Sequence, residues 1–241
     1  MEFFFYFLRI FVLKMPFPPP LEDAEILSLQ THAIDWAYAN GLVVKSSDGR
    51  TVHAPFALFP SPFPRKLYIQ AQQIQPIINH LMHALSQDTN LITETMEELS
   101  LSDDFIHQCF KIYKTVQEEG TSQPVVLGVH RSDYLVHEGS VIQQVEINTI
   151  AASFAGLSTI TSQLHRYLSK RSNLYNHEDL PKSDIKPSSL PENKAVHGIA
   201  KGLATAWSLY GIHEAVAAII VQPGENNVYD QRMLEYILFQ E

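Results

Sequence analysis

The chain predicts a mixed α/β fold, an α+β arrangement of helices around a few central strands, and three observations carry that expectation. Helical periodicity recurs on both sides of the sequence, the middle turns to β-branched residues, and an uninterrupted apolar octapeptide at residues 215–222 (AVAAIIVQ) precedes a Pro-Gly turn and a last helical stretch. Such an octapeptide reads as a strand buried on both faces and as the opening of an α/β unit.

Residues 1–14 (MEFFFYFLRIFVLK) have the aromatic richness of a signal peptide. Arg9 interrupts the run, no small-residue cleavage pattern follows, and the run is too short to span a bilayer. The expectation is an extension outside the core, with no membrane anchor, and Met15 is an alternative start. A polyproline-like lead-in at 16–20 gives way to a helix over 21–40, with apolar residues at Leu21, Ala24, Ile26, Leu27, Ile34, Ala37 and Tyr38 and a stop at Gly41. Closely spaced prolines in 53–64 (HAPFALFPSPFP) forbid a regular element, yet its Phe and Leu content predicts a buried, ordered loop. Helices follow over 65–85, 89–99 and 103–119, the last closing at Gly120.

Strands are expected at 125–130 and 140–148, with a further extended piece at 133–136 and a turn at His137, Glu138 and Gly139. Residues 157–170 read as helix, 171–193 as a polar mobile surface loop, and 194–210 as a helix ended by Gly211. The octapeptide, the Pro-Gly turn and a helix from Val228 complete the chain.

A net charge of −9 sets the surface against a phosphate backbone, so nucleic acid is excluded as an expected partner. The lone Cys109 can form no internal disulfide and suits a reducing, cytoplasmic setting; its apolar surroundings predict a core thiol. No Walker sequence, GxSxG elbow or HExxH is present, and His80 and His83 lack a third ligand at zinc-site spacing.

The chemistry concentrates in 141–156 (VIQQVEINTIAASFAG). Strand alternation puts Glu146 and Asn148 on one face, where a carboxylate and an amide carbonyl can give hard oxygens to one Mg2+. The same spacing also fits two polar residues on a solvated face. Arg131 can hold a carboxylate in two hydrogen bonds, or pair with Asp133. Ile150, Ala151, Ala152 and Ser153 include three small residues that let a ligand reach the backbone, or that serve close packing. Glu225, Asn226, Asn227 and Gln231 follow the octapeptide, where ligands gather in open α/β sheets; the alternative is a polar turn with Asn227 as helix cap.

Taken together, HAPFALFPSPFP, LGVHRSDYLV, QQVEINTIAASFAGL and QPGENNVYDQR resemble, in order and separation, the motifs of eukaryotic glutathione synthetases, spanning His53 to Arg232. The resemblance implies an ATP-grasp-type fold, with 1–20 as an extension, 21–212 as part of the ATP-binding, catalytic domain, and 213–241 as the start of the substrate-binding domain. It implies Glu146 and Asn148 as Mg2+ ligands, Glu146 also at the ATP site, and Arg131 on the dipeptide. Ile150, Ala151, Ala152 and Ser153 with Glu225, Asn226, Asn227 and Gln231 complete the substrate contacts; no catalytic residue is assigned. Ala151 stands where the family often has serine, and Asn226 where an arginine is expected. The implied reaction joins γ-glutamylcysteine to glycine at the expense of ATP through an acyl phosphate, in a homodimer. The family has about twice this much chain, and its other half holds the glycine-rich loop over the ATP phosphates. A fragment or truncated isoform, inactive alone, is therefore expected. The alternative is a non-catalytic short isoform that acts by dimerising with full-length subunits.

Overall fold

The computed structural model describes residues 21–123, 125–137, 141–150, 152–172 and 187–240. The expectations for residues 1–20, for Glu138 and Gly139, and for 173–186 of the polar loop lie outside the described residues. In chain order the elements are α1 (Asp23–Ala39), β1 (Val43–Lys45), β2 (Thr51–His53), α2 (Arg65–Gln87), α3 (Thr89–Leu99), α4 (Asp104–Glu119), β3 (Arg131–His137), β4 (Val141–Asn148), α5 (Ala155–Arg171), α6 (Ala195–Tyr210) and α7 (Val228–Leu238). The strands form two antiparallel hairpins, β1 with β2 and β3 with β4. Two compact units result: the first uses described residues up to 62, 153–204 and from 216 on, the second 63–152 and 205–215.

The first unit holds the larger core. Leu29, Ala33 and Ala37, each one helical turn from the next, line the buried stripe of α1, and their small members let α1 meet Leu157, Leu164 and Leu168 of α5. Leu42 and Ala54, beside the first hairpin, close this cluster, and Trp36 stacks on Tyr167 at 6.1 Å. Helix α1 starts where the Glu25 carboxylate accepts from the Glu22 N–H at 3.0 Å, and the chain turns away at Gly41, whose φ of 76° suits glycine. The proline-rich loop packs as expected in its first half: Ala54 is buried, and Phe56, Leu58 and Phe59 lie against the core.

His165 pins that loop, with its Nε2 donating to the Ala57 carbonyl at 2.9 Å. Burial pushes its imidazole below the ordinary value, and the Ala57 bond offsets this only in part. A depressed folded pKa means that the unfolded chain takes the proton first. The stability from neutral His165 is therefore present above the unfolded pKa, about 6.5, and is lost as pH falls through the lower folded value. The melting temperature is expected to drop on acidification below about pH 6.5, and to drop less in His165→Gln; equal drops in scanning calorimetry would contradict this.

In the second unit, Asp88 and Asp103 accept from the N–H groups of Leu91 (3.0 Å) and Ile106 (2.9 Å), fixing the starts of α3 and α4, and α4 ends at Gly120 with φ 83°. Helix α2 runs through Pro76, which has no N–H to give to Gln72. Buried apolar residues here are few, chiefly Leu67, Ile78 and Phe110. Cys109 is exposed, not the core thiol its neighbours suggest, because α4 buries Phe110 and leaves Phe105 and Ile112 in solvent.

Two strand expectations move. Residues 125–130 are irregular, and the ladder instead runs from Arg131↔Asn148 to His137↔Val141. Residues 215–222 are also irregular, with Val216 and Ile220 almost fully exposed. Both are rich in β-formers, but a strand needs a neighbour for its N–H and C=O groups, and none lies alongside either among the described residues. The hairpin β1–β2 was not visible in the periodicity because each strand is only three residues long.

Candidate functional site

Strand alternation alone would keep Gln144, Glu146 and Asn148 on one face of β4. The observed register is more particular. Asp133 faces Glu146, but Tyr134 faces Gln144, so Val145 is an extra residue in β4, a β-bulge. Adjacent residues of β3 point to opposite faces, so the bulge also turns Gln144 and Glu146 to opposite faces. Glu146 and Asn148 stay together with Arg131 and Asp133, as four polar residues on one patch of the hairpin.

Within this patch Arg131 donates from Nε to Asp133 Oδ1 at 2.9 Å and from Nη2 to Asp133 Oδ2 at 3.1 Å. Its Nη2 also lies 3.8 Å from Glu146 Oε1. Asn148 Nδ2 donates to Glu146 Oε1 at 2.9 Å and, at 3.5 Å, to Asp133 Oδ2. The hydrogen bonds from Arg131 hold the Asp133 carboxyl below the usual carboxylate range, and Asp133 in turn raises the guanidinium. Two carboxylates and one guanidinium leave the patch one negative charge in excess. Because the Asn148 amide N–H groups are committed to the acids, its carbonyl oxygen is left without a partner among the described residues. A carboxylate and an open amide oxygen, adjacent and anionic overall, fit a hard divalent cation that completes its shell with water and phosphate oxygens.

Of the following segment, Ile150 is exposed, Ala152 and Ser153 are half-buried, and Ala151 lies outside the described residues. The backbone N–H groups of Ile150, Ala152 and Ser153 make no hydrogen bond among the described residues. The chain then passes through Phe154 in the left-handed conformation, φ 69°, and enters α5. That entry is held by Asp230, which the sequence reading did not single out. Its carboxylate accepts from the N–H groups of Phe154 (2.7 Å), Gly156 (2.7 Å) and Leu157 (3.0 Å) and is 8% exposed. No spacing rule could link residues 74 positions apart; the only signal was the presence of Asp230 inside the last motif.

The remaining predicted residues precede or adjoin Asp230 in the first unit. Glu225 accepts from the Asn227 N–H at 2.7 Å, and Asn226 gives its carbonyl to the Lys45 N–H of β1 at 3.2 Å. Asn227 is the N-cap residue of α7, but its side chain does not cap; it donates to Asp230 Oδ2 at 3.4 Å, and its Oδ1 is buried with no partner among the described residues. Gln231 is half-buried in the first turn. Tyr229 bonds Thr51 across to the first hairpin at 2.5 Å, with Lys45 Nζ 5.6 Å from its ring centre. The structure thus groups Arg131, Glu146 and Asn148 in the second unit, and Glu225, Asn226, Asn227 and Gln231 in the first.

Residues 23–231 match the family described as eukaryotic glutathione synthase, ATP binding domain. Over 223 residues the chain is 37% identical to glutathione synthetase of Rattus norvegicus, covering 89% of this chain and 45% of that protein. The glutathione synthetase of Xenopus laevis is 39% identical over 223 residues, with 88% and 45% covered. Among solved structures, a glutathione synthetase-like effector (GSS30) from Globodera pallida in its apo form superposes with a TM-score of 0.73 at 29% identity, covering 92% of this chain and 48% of that one. The chain spans under half the length of these relatives. With the motif patch, the fold and these matches in agreement, the chain belongs to the eukaryotic glutathione synthetase family.

Proposed function

We propose that the chain forms the γ-glutamylcysteine and Mg2+ portion of a glutathione synthetase, an ATP-dependent ligase that joins γ-glutamylcysteine to glycine. The observation that carries this is the convergence of Arg131, Glu146 and Asn148 on one face of the β3–β4 hairpin, with the Asn148 carbonyl oxygen open. In this reading Arg131 binds a carboxylate of the dipeptide, and the open N–H groups of Ile150, Ala152 and Ser153, with the neighbouring Ala151, follow its backbone. Asn227 Oδ1, a buried acceptor with no donor among the described residues, suits a substrate N–H, and Glu225, Asn226 and Gln231 border it in sequence. Glu146 and Asn148 would hold Mg2+, with Glu146 also facing ATP, and the bound ion supplies neutralisation of phosphate charge. The Asn148 to Glu146 hydrogen bond fixes the carboxylate for that task.

Homodimerisation, a cytoplasmic setting and a domain boundary near residue 212 belong to the same reading. Among the described residues no helix is long and apolar enough to cross a membrane. The metal assignment is tested by titrating the purified chain with Mn2+ as a paramagnetic stand-in and reading free ion by electron spin resonance. Glu146→Gln is expected to weaken binding by about tenfold or more, and Asn148→Ala to a lesser degree. Unchanged binding in both variants would place the metal elsewhere.

A further inference from the structure

Resting on that reading of Arg131, we propose that Asp133 is a positioning residue, which grips one edge of the Arg131 guanidinium so that the other edge is presented to the substrate carboxylate. A guanidinium offers two edges that can take a carboxylate in a two-pronged bond: Nε with Nη2, and Nη1 with Nη2. Asp133 fills the first, with Oδ1 on Nε at 2.9 Å and Oδ2 on Nη2 at 3.1 Å. Nη1 donates to nothing among the described residues, which leaves the second edge open. The open edge includes Nη2, 3.8 Å from Glu146 Oε1, so it adjoins the oxygens assigned to the cation.

An arginine 40% exposed on a two-stranded hairpin would otherwise spread over many rotamers, and substrate binding would carry the cost of ordering it. Asp133, two residues along the same face of β3, removes that freedom beforehand. It is itself confined, because Glu146 stands opposite it in the ladder and Asn148 Nδ2 lies 3.5 Å from its Oδ2. The bulge at Val145 keeps Glu146 beside Asp133 in that register.

The test is calorimetric titration of the full chain with γ-glutamylcysteine in Mg2+ for the native protein, Asp133→Asn, Arg131→Lys and the double variant, with circular dichroism melts of each. Lysine keeps the charge and loses the two-edged fork, so binding stays measurable. Asp133→Asn is expected to raise Kd about tenfold in the native background and less than about twofold in the Arg131→Lys background, where no fork remains to be positioned. Melts of the single variants should coincide with the native one. Native-like or tighter binding by Asp133→Asn, or an equal loss in both backgrounds, overturns the positioning role. Arg131→Lys without effect, or no binding by the native chain, overturns the substrate reading of Arg131 itself and with it this assignment.

Discussion

Asp230→Ala is expected to destabilise the first unit by about 2–4 kcal/mol, the largest stability loss of any single side chain considered. Three N–H groups at the entrance of α5 lose their common acceptor at once. A single water in place of the carboxylate offers two lone pairs to three N–H groups, and Met233 still crowds the spot, its Sδ 2.6 Å from where a Cβ on Gly156 would stand. The Asp230 bond also holds Phe154 at φ 69°, a conformation that a non-glycine residue keeps only when its surroundings insist. Asp230→Asn, with one acceptor in place of two, should fall between native and alanine. Denaturant titration followed by far-UV circular dichroism measures the effect; a change within about 0.5 kcal/mol, the range of ordinary surface substitutions, would show that the α5 entrance does not depend on this carboxylate.

The second large effect is on binding. Arg131→Ala is expected to weaken γ-glutamylcysteine binding at least about thirtyfold, since a two-pronged charged contact is lost while Asp133 and Glu146 remain to repel the substrate carboxylate. Retained carboxylate repulsion distinguishes this from simple truncation: raising ionic strength should recover part of the affinity in Arg131→Ala and reduce it in the native chain. Titration calorimetry at two salt concentrations reads both signs. Equal affinity in native and variant, with matching circular dichroism, would remove Arg131 from the dipeptide site.

Most helices were legible because their ends are written locally. Asp88 and Asp103 announce α3 and α4, and Gly41, Gly120 and Gly211 fall where the chain leaves a helix with φ between 76° and 83°. Burial was less legible. The stripe of α1 runs through Leu29, Ala33 and Ala37, while Ile26 and Leu27, equally apolar, face solvent. Strands depend on partners that periodicity does not name, which is why β3 begins at Arg131 and not in the more β-prone 125–130. For the site, the shared face of Glu146 and Asn148 followed from alternation alone. The bulge at Val145, the grip of Asp133 on Arg131 and the reach of Asp230 to α5 are tertiary facts, set by register and by contacts across 74 positions.

The exposed octapeptide at 215–222 bears on how the protein behaves at high concentration. It has no charge and no proline, and its open backbone can accept an extended segment of any other chain, the short-range attraction from which fibrous and amorphous precipitates grow. Against it stands the long-range repulsion of a net charge of −9. The two act over different distances, so added salt suppresses the repulsion and leaves the strand-to-strand attraction intact. Colloidal stability should therefore be greatest in dilute buffer well above the isoelectric point near 5.6, with precipitation favoured as either safeguard is withdrawn.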